Sequence, residues 1–311
     1  MRAVFFRDGE VEVREIEEPA GEGVRVRVRS TGICGSDLHM LEMKSPLGCV
    51  VGHEVAGVLD DGTPVVVEPS MPCGECPSCR SGDYNLCPAG AGQSLGVGRD
   101  GGMADVVRVP PGCLVHLPSN LNVRDACLVE PMAVVVHGLQ RAGLEGGQRV
   151  AVIGGGAIGL CAVAAARASS ATVGLSARYD HQAALGRSLG AGGIEGLYDL
   201  VVDCAGTEKA VITAVKLCRP RGKLLVLGTH WSGLPLPQVL VMMKEITVVS
   251  SFMYASNGAV RDFDVAAMLL SRQPALARGL ITHRFPLAQA QQAFAVARDR
   301  KAGAIKVVLE P

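Results

Sequence analysis

Four cysteines within one short loop are the residues whose types and spacing most clearly indicate chemistry in this chain. They are Cys73, Cys76, Cys79 and Cys87, and the first three are spaced as Cys-x-x-Cys-x-x-Cys. Four thiolates complete the tetrahedral coordination of a zinc ion and leave no position open for a substrate. The sequence therefore predicts a structural zinc site in a small lobe at about residues 70–90.

A second set of potential metal ligands lies upstream and downstream of that loop. Cys34 and the pair His53-Glu54 offer thiolate, imidazole and carboxylate groups, which are the ligands of catalytic zinc sites that keep one position open. Glu130 offers a further carboxylate. Acidic residues also favour the first turn of a helix, so a helix-start role or a contact through water stays open for Glu130. His137 is expected to pack or to lie on a helix surface.

A glycine motif, Gly154-x-Gly156-x-x-Gly159, lies between an apolar strand and an alanine-rich helix. In a dinucleotide-binding fold the first glycine permits a tight turn, the second lets the backbone approach a pyrophosphate, and the third lets the helix pack on the strand. Ala157 and Ile158 would then open the helix whose N-terminus faces the phosphates. A turn without a ligand is the alternative, but the following strand–helix units favour dinucleotide binding.

The end of the second strand of such a fold decides between NAD and NADP. An acidic residue there binds the ribose 2′-hydroxyl of NAD, whereas this chain has Ser176, Ala177 and Arg178. Arg178 can pair with a 2′-phosphate and Ser176 can add a hydrogen bond. The sequence therefore predicts NADP(H). The alternative is that Arg178 is a solvated surface residue and that NAD binds without its usual acid.

The elements that must position these residues follow two patterns. The first third of the chain is strand-like, as in the alternation of valine and arginine from Val24 to Arg29. Repeated β-α-β units follow from about residue 149, and they imply a parallel sheet with helices on both faces. We therefore predict an α/β protein in which a Rossmann domain, residues 131–268, is inserted into a β-rich domain, residues 1–130 and 269–311.

Composition narrows the classes of function. The chain has 311 residues, 30 basic and 30 acidic residues, and 48% hydrophobic residues, so it carries no electrostatic signature of nucleic-acid or membrane binding. No leader or membrane span is indicated, and eleven cysteines favour reduced thiols and metal in the cytoplasm. Six cysteines outside the metal motifs are predicted to be small core residues: Cys49, Cys113, Cys127, Cys161, Cys204 and Cys218.

Taken together, these motifs resemble the zinc-dependent medium-chain dehydrogenase/reductase family, and most of all its sorbitol, threonine and butanediol dehydrogenase branch. The resemblance runs from Gly32-Ile33-Cys34-Gly35-Ser36-Asp37 to Gly303-Ala304-Ile305-Lys306-Val307. It implies that the β-rich domain is GroES-like and that the active site lies in the cleft beside the Rossmann domain. It also implies a homodimer or homotetramer.

The resemblance implies roles for the metal-binding residues. Cys34 and His53 correspond to ligands of a catalytic zinc. Glu54 corresponds to a glutamate that either binds this zinc or exchanges with water, and Glu130 corresponds to a carboxylate near the metal. The four cysteines of the loop correspond to the structural zinc lobe, which gives two zinc ions per chain.

The resemblance also implies a proton relay. Ser36 corresponds to the hydroxyl that takes the substrate proton, His39 to the outer histidine of the relay, and Asp37 to the partner that orients His53. Zinc would lower the pKa of the alcohol, and a hydride would pass to C4 of the nicotinamide. A local capping hydroxyl is the alternative for Ser36, and a surface position is the alternative for His39.

The resulting prediction is a zinc-dependent alcohol or polyol dehydrogenase, or carbonyl reductase, that prefers NADP(H). An NAD-dependent polyol or threonine-type dehydrogenase is the alternative. A zinc-free quinone or enoyl reductase is opposed by Cys34 and His53, and a non-catalytic NADPH-sensing or scaffold protein would not need them. Segments 40–51 and 55–72 are shorter than is usual in the family, and the first helps to wall the substrate pocket, so the substrate is left open.

Overall fold

The structure, a computed structural model, describes residues 1–45, 47–90 and 92–311. Pro46, which belongs to the short segment 40–51, and Ala91 lie outside the described residues. The chain forms two units, Met1–Glu130 with Ala255–Pro311, and Pro131–Tyr254. The sequence analysis placed the second boundary at residues 268 and 269. In the structure the chain has re-entered the first unit by Ser256, whose N–H donates to the Gly82 carbonyl at 3.0 Å.

The strands and helices are numbered in chain order. The strands are β1 Arg2–Arg7, β2 Glu10–Glu15, β3 Val24–Gly32, β4 Glu54–Val58, β5 Pro64–Val67, β6 Val106–Val109, β7 Leu114–His116, β8 Arg149–Ile153, β9 Thr172–Ser176, β10 Tyr198–Asp203, β11 Cys218–Val226, β12 Thr247–Ser250, β13 Ser256–Asn257, β14 Val260–Arg261, β15 Ile281–Pro286 and β16 Lys306–Glu310. The helices are α1 Gly35–Glu42, α2 Pro77–Ser81, α3 Val129–Arg141, α4 Ala157–Ala168, α5 Asp180–Ser188, α6 Glu208–Leu217, α7 Gln238–Met243, α8 Asp262–Ser271, α9 Pro274–Leu280 and α10 Ala290–Arg298.

The main sheet of the first unit is built from the alternating valines that the sequence shows. Its strands run in the order β15-β16-β3-β4-β5-β7, and β6 pairs with β3. Val26 and Val28 of β3 are fully buried, while Arg27 between them is partly exposed and Arg29 is exposed, as expected for a strand with one covered face. The valines pack with Val65 and Val107 of neighbouring strands, and this core fixes the register of the sheet.

Three strands of this sheet meet at Gly32, where the predicted metal ligands lie. Gly32 pairs with Glu54 of β4 on one side and with Val308 of β16 on the other. Cys34 follows the end of β3, and His53 precedes the start of β4 in the antiparallel neighbour. The register therefore brings Cys34 and His53 together, although the intervening chain is long and irregular.

The second unit is a five-stranded parallel sheet with the order β12-β11-β10-β8-β9. From β8 the chain crosses to β9 on one side and then returns to β10 on the other. This reversal is the topological switch at which open parallel sheets bind ligands. The predicted α/β fold, in which a parallel sheet is inserted into a β-rich unit, is thereby confirmed. No helix among the described residues combines the length and apolar character needed to cross a bilayer.

The cysteines outside the metal motifs mostly occupy the core, as expected for small apolar side chains. The buried ones are Cys113, Cys127, Cys161 and Cys218, whereas Cys49 and Cys204 are half-buried. All eleven cysteines of the chain are free thiols in the structure.

The four-cysteine loop is joined to the rest of the first unit through the buried carboxyl group of Glu68. The Tyr84 hydroxyl, within the loop, lies 2.5 Å from Glu68 Oε1 and 3.0 Å from the Ala255 carbonyl. Glu68 is almost fully buried just beyond β5, and this burial raises its pKa to about 7 despite the hydrogen bond from Tyr84 and the charge of Arg261. Asp262 and Asp264 add to the increase.

The raised pKa of Glu68 predicts a pH-dependent stability. A carboxyl group with a folded-state pKa near 7 and an ordinary value of 4.5 stabilises the folded state fully only below pH 4.5. That contribution is lost as the pH rises through 7. Between pH 5 and pH 8 the free energy of unfolding should fall less in Glu68→Gln than in the wild type. The two decreases should differ by up to about 3 kcal/mol.

Urea unfolding of both proteins at the two pH values, followed by circular dichroism, measures this difference. The exposed Glu17→Gln is the matched control and should retain the wild-type pH profile. Parallel profiles for wild type and Glu68→Gln would contradict the assignment of a buried titrating acid.

Candidate active site

The predicted ligands Cys34, His53 and Glu54 lie together in the structure. Their nearest ligand atoms, one from each side chain, lie within 4.8 Å of one another. Cys34 is the N-cap residue of α1, so its side chain lies at the N-terminal end of that helix. This arrangement fits the donor set of a divalent metal that prefers sulfur and nitrogen ligands.

The Asp37 carboxylate contacts both Cys34 and His53. One carboxylate oxygen, Oδ2, accepts the Cys34 backbone N–H at 2.9 Å, and the other, Oδ1, lies 3.5 Å from His53 Nδ1. Burial of the ring disfavours its charged form, but the negative charges of Asp37 and Cys34 outweigh it and raise the pKa of His53. A carboxylate at Nδ1 leaves Nε2 as the ring atom for a metal, as in histidine ligands generally.

Glu54 is held by a lysine that the sequence analysis did not single out. Lys306 Nζ donates to Glu54 Oε1 at 2.5 Å and to Oε2 at 2.7 Å, and also to the Ile33 carbonyl at 3.1 Å. Both side chains are buried, with 5% and 1% of their surface exposed. A lysine next to the apolar run Val307-Val308-Leu309 of the final strand was the available signal, because an unpaired buried ammonium is too costly to persist.

Gly32 makes room for this ion pair. A Cβ atom built on Gly32 would collide with the Glu54 carboxylate, which lies directly across from it in the β3–β4 pairing. Glycine is therefore required at this position for packing, because any side chain would displace the carboxylate from Lys306.

Glu130 lies in the first turn of α3 and is 6% exposed. Burial raises its pKa to about 7, although the charge of His53 opposes the shift. Among the described residues, the group whose ligand atoms share the 4.8 Å limit contains Glu54 and not Glu130. The structure thus brings Glu130 into the electrostatic neighbourhood of His53, and its helix-start position is also as expected.

The charge balance of this buried cluster favours a cation. Asp37, Glu54 and Glu130 supply three carboxyl groups and Cys34 supplies a thiol, while the positive partners are the Lys306 ammonium and the His53 ring, whose pKa is raised. Buried negative charge in excess is unfavourable unless it is neutralised by protons or by a metal ion. The residues therefore fit a divalent metal in both ligand type and charge.

Ser36 and His39 lie on α1, three residues apart, so they share one face of the helix. Both side chains are partly buried. The predicted relay residues are therefore neighbours on the element that also presents Cys34.

The four cysteines of the loop form a second cluster, with the geometry of a zinc tetrahedron. The sulfur of Cys79 lies 3.5 Å from that of Cys76 and 3.9 Å from that of Cys73, and Cys73 and Cys87 are 3.6 Å apart. Four sulfurs at the usual zinc–sulfur distance would be about 3.8 Å apart. The Cys73 N–H bonds to the Cys87 sulfur and lowers the pKa of that thiol to about 6, which favours the thiolate that binds metal.

The glycine motif of the second unit forms a tight turn between β8 and α4. Gly154 has a φ of 109°, which favours glycine, and its N–H donates to the Ser176 carbonyl at 2.9 Å. Gly156 caps α4, which begins at Ala157, and a Cβ built on it would meet no atom within 4 Å. A Cβ on Gly159 would collide with the Gly154 carbonyl, so the third glycine is needed for helix–strand packing.

The predicted cofactor-selecting residues follow β9, beside the glycine loop. A Cβ on Gly155 would lie 2.7 Å from the Cβ of Ala177, so the residue in the acid position borders the loop directly. Arg178 is exposed and its guanidinium lies 5.6 Å from the centre of the Tyr179 ring. An exposed, stacked arginine is available to a phosphate but is also compatible with a solvated surface.

Comparison with known proteins identifies the family. Residues 20–119 match the family model "Alcohol dehydrogenase GroES-like domain", and residues 193–271 match "Zinc-binding dehydrogenase". D-xylulose reductase A of Aspergillus oryzae is 31% identical over 316 residues, which cover 87% of this chain and 85% of that protein. The chain belongs to the zinc-dependent medium-chain dehydrogenase/reductase family. It is an enzyme of the alcohol and polyol dehydrogenase type.

Solved structures of this family superimpose on the whole chain. A protein of Sinorhizobium meliloti described as a zinc-binding dehydrogenase and bound to NADP has a TM-score of 0.86 and 28% identity, with 100% of this chain and 99% of that chain covered. An Escherichia coli protein described as a short chain alcohol dehydrogenase and complexed with NADH has a TM-score of 0.88 and 26% identity, with the same coverage. The fold of this dehydrogenase is thus found with either nicotinamide cofactor.

The Lys306–Glu54 pair of this dehydrogenase should be strongly coupled. Removing one partner of a buried ion pair leaves the other charge uncompensated, which costs about 3–5 kcal/mol. We expect Lys306→Met to lower the free energy of unfolding by that amount, and the double variant Lys306→Met, Glu54→Gln to recover a large part of it.

Chemical denaturation of the four members of this double-mutant cycle measures the coupling. Lys301→Met, an exposed lysine near the same strand, serves as control and should change stability little. Additive effects of the two substitutions would show that the pair does not act as a unit.

Proposed function

We propose that this protein transfers a hydride between NADP(H) and a small alcohol or polyol, or the corresponding aldehyde or ketone, with a catalytic zinc ion. The observation that carries this proposal is the cluster of Cys34, His53 and Glu54, whose ligand atoms lie within 4.8 Å of one another and whose donor types fit a divalent metal. The polyol class is supported by the similarity to D-xylulose reductase A.

Cys34 and His53 would hold the catalytic zinc together with a carboxylate. Because Lys306 binds both oxygens of Glu54, Glu130 is the better candidate for the third ligand, with Glu54 beside the metal. A bound zinc would polarise the substrate oxygen as a Lewis acid. Asp37 would orient the His53 ring and hold the Cys34 backbone in place.

Ser36 and His39 would move the substrate proton. The Ser36 hydroxyl would accept the proton of the alcohol and pass its own proton towards His39, three residues along the same helix face. In the reverse direction the relay would return a proton to the oxygen of the reduced substrate. The helix holds the two groups at a fixed spacing, which a flexible loop would not.

The dinucleotide would bind at the carboxyl edge of the parallel sheet. The Gly154–Gly159 turn would receive the pyrophosphate at the N-terminus of α4, and Ser176, Ala177 and Arg178 would face the adenosine ribose. NADP(H) is favoured over NAD(H) because Ala177 stands where the acid would be and the exposed Arg178 follows it. An NAD-dependent polyol dehydrogenase remains the second candidate, on the similarity to the NADH-bound protein.

Assembly into a homodimer or homotetramer is favoured by the exposed surface at one edge of the parallel sheet. The edge strand is β12, and α7, which precedes it, exposes Val239, Met242 and Met243 by 64%, 68% and 73%. An unpaired strand edge beside exposed apolar side chains is a surface that proteins usually cover.

The zinc proposal predicts the metal content of the chain. We expect two zinc ions per wild-type chain and one in Cys34→Ser or Cys79→Ser, because each substitution removes a ligand from only one cluster. Cys34→Ser should also lose turnover by at least 100-fold, because it alters the predicted catalytic cluster, whereas Cys79→Ser should lose stability first.

Metal analysis by plasma mass spectrometry and initial rates with polyols, simple alcohols and aldehydes test this. Cys161→Ser, a core cysteine remote in sequence from both clusters, is the control and should keep both metals. Full turnover in a metal-free sample would overturn the zinc chemistry. Metal binding without turnover on any substrate of the panel would favour the scaffold role.

The cofactor proposal predicts the effect of Arg178. Arg178→Ala should raise the KM for NADPH by about tenfold to 100-fold and leave the KM for NADH nearly unchanged, because the lost partner is the 2′-phosphate. Arg187→Ala, an exposed arginine of α5, should change neither value. A wild type that already prefers NADH would show that Arg178 is a surface residue.

A further inference from the structure

A buried histidine–aspartate pair links two loops of the second unit, and the reaction described above does not use it. His230 Nε2 lies 2.8 Å from Asp203 Oδ2, with side chains 7% and 0% exposed. Asp203 is the last residue of β10, and His230 follows β11, its neighbour in the sheet. The other carboxylate oxygen of Asp203 accepts the backbone N–H groups of Ala205 and Gly206 at 3.1 and 3.4 Å.

The two loops belong to a continuous row of tightly packed loops at the carboxyl edge of the sheet. A Cβ on Gly154 would lie 3.1 Å from the Ala205 nitrogen, so the phosphate loop touches the loop after β10. A Cβ on Gly206 would lie 2.8 Å from the Thr229 carbonyl, so that loop in turn touches the loop carrying His230. The loops that carry the glycine motif and His230 are therefore both packed against the loop after β10.

The strand order indicates that His230 would lie beside the nicotinamide half of a bound dinucleotide. The strand order is β11-β10-β8-β9, with the phosphate loop after β8. Ala177 and Arg178 follow β9, so the adenosine half would extend to that side. The nicotinamide half must then extend over β10 and β11. Two strand spacings place the loop after β11 about 10 Å from the phosphate loop along the sheet.

The hydrogen bond to Asp203 determines what His230 can offer a ligand. A carboxylate only accepts hydrogen bonds, so Nε2 of His230 carries the hydrogen. In the neutral ring Nδ1 is then an acceptor, and its complement is an O–H or N–H donor. The nicotinamide riboside presents such donors in its ribose hydroxyls and its carboxamide.

We propose that His230, oriented by Asp203, accepts a hydrogen bond from the nicotinamide riboside half of the bound dinucleotide and so strengthens binding of that half. This inference rests on the proposed dinucleotide binding. A purely structural role, in which the pair only joins two loops, is the competing explanation, and the two differ in which ring nitrogen matters.

Two substitutions distinguish the role of Nε2 from that of Nδ1. Gln at position 230 places an amide near the Nε2 position, so it can keep the link to Asp203 while losing the Nδ1 acceptor. Asn places its amide oxygen near the Nδ1 position, so it can keep the acceptor while losing the link. His230→Gln should therefore weaken cofactor binding more than His230→Asn, whereas a structural role predicts the reverse order.

Calorimetric titration of the zinc-loaded protein with NADPH and NADH, and with their adenosine halves 2′,5′-ADP and ADP, tests this. We expect His230→Gln to weaken the preferred dinucleotide by about fivefold to tenfold, the effect of one hydrogen bond, and to leave the adenosine half unchanged. Equal affinity of the wild type and His230→Gln for the dinucleotide, or an equal loss for both ligands, would overturn the proposal. A wild type that binds neither dinucleotide would instead refute the proposed function itself.

A cofactor analogue identifies the donor. 3-Acetylpyridine adenine dinucleotide phosphate lacks the carboxamide N–H, so an unchanged penalty in His230→Gln would assign a ribose hydroxyl, and a vanishing penalty would assign the carboxamide. A measurement on the wild-type protein needs no variant and so tests the contact even where a variant does not fold. The ¹⁵N chemical shift of His230 Nδ1 should change on addition of NADP⁺ but not of 2′,5′-ADP, and an unchanged shift would refute the contact.

Discussion

The ion pair between Lys306 and Glu54 is the contact on which the first unit depends, because it fixes where three strands meet. The Lys306 ammonium has three hydrogens, and the structure gives it three acceptors, namely both oxygens of Glu54 and the Ile33 carbonyl. Such complete satisfaction is what allows both charges to stay buried. Since the lysine enters with the final strand, the site cannot form until the end of the chain has joined β3.

The same pair determines which carboxyl groups are left for a metal. Lys306 donates all its hydrogens to Glu54 and Ile33, so Glu130 must gain its positive partner from His53 or from a cation. Asp37 is already committed to the Cys34 backbone and the His53 ring. Cys34 and Glu130 therefore differ from Glu54, both of whose carboxylate oxygens accept hydrogen bonds from Lys306.

Local spacing made much of this architecture predictable. The cysteine loop, the glycine motif and the alternating valines of β3 are short-range patterns, and each has one dominant physical solution. The alternation of strands and helices was likewise enough to predict a parallel sheet. What sequence reasoning missed depends on long-range register: Lys306 lies 252 residues from Glu54, and His230 lies 27 residues from Asp203.

Chain boundaries were harder to predict for a related reason. Helix α3 begins at Val129, directly after a 3-10 turn at Ala126–Leu128. The return to the first unit occurs at Ala255 because Tyr84 and Gly82 of the cysteine loop bind the chain there. Neither the start of α3 nor the return of the chain to the first unit has a local sequence signal. The return at Ala255 depends on contacts with residues far away in the sequence.

The cysteine loop offers a physical reason for the proposed structural zinc. Helix α2 and the following 3-10 turn, Tyr84–Leu86, contain no buried residue, so the lobe has no apolar core of its own. A segment of this size without a core needs a metal or a disulfide to hold its shape. All four thiols are free and close enough for one zinc ion, while Tyr84 and Gly82 join the loop to the sheet domain. Loss of the metal would therefore release the lobe first and leave the main sheet, with its own valine core, in place.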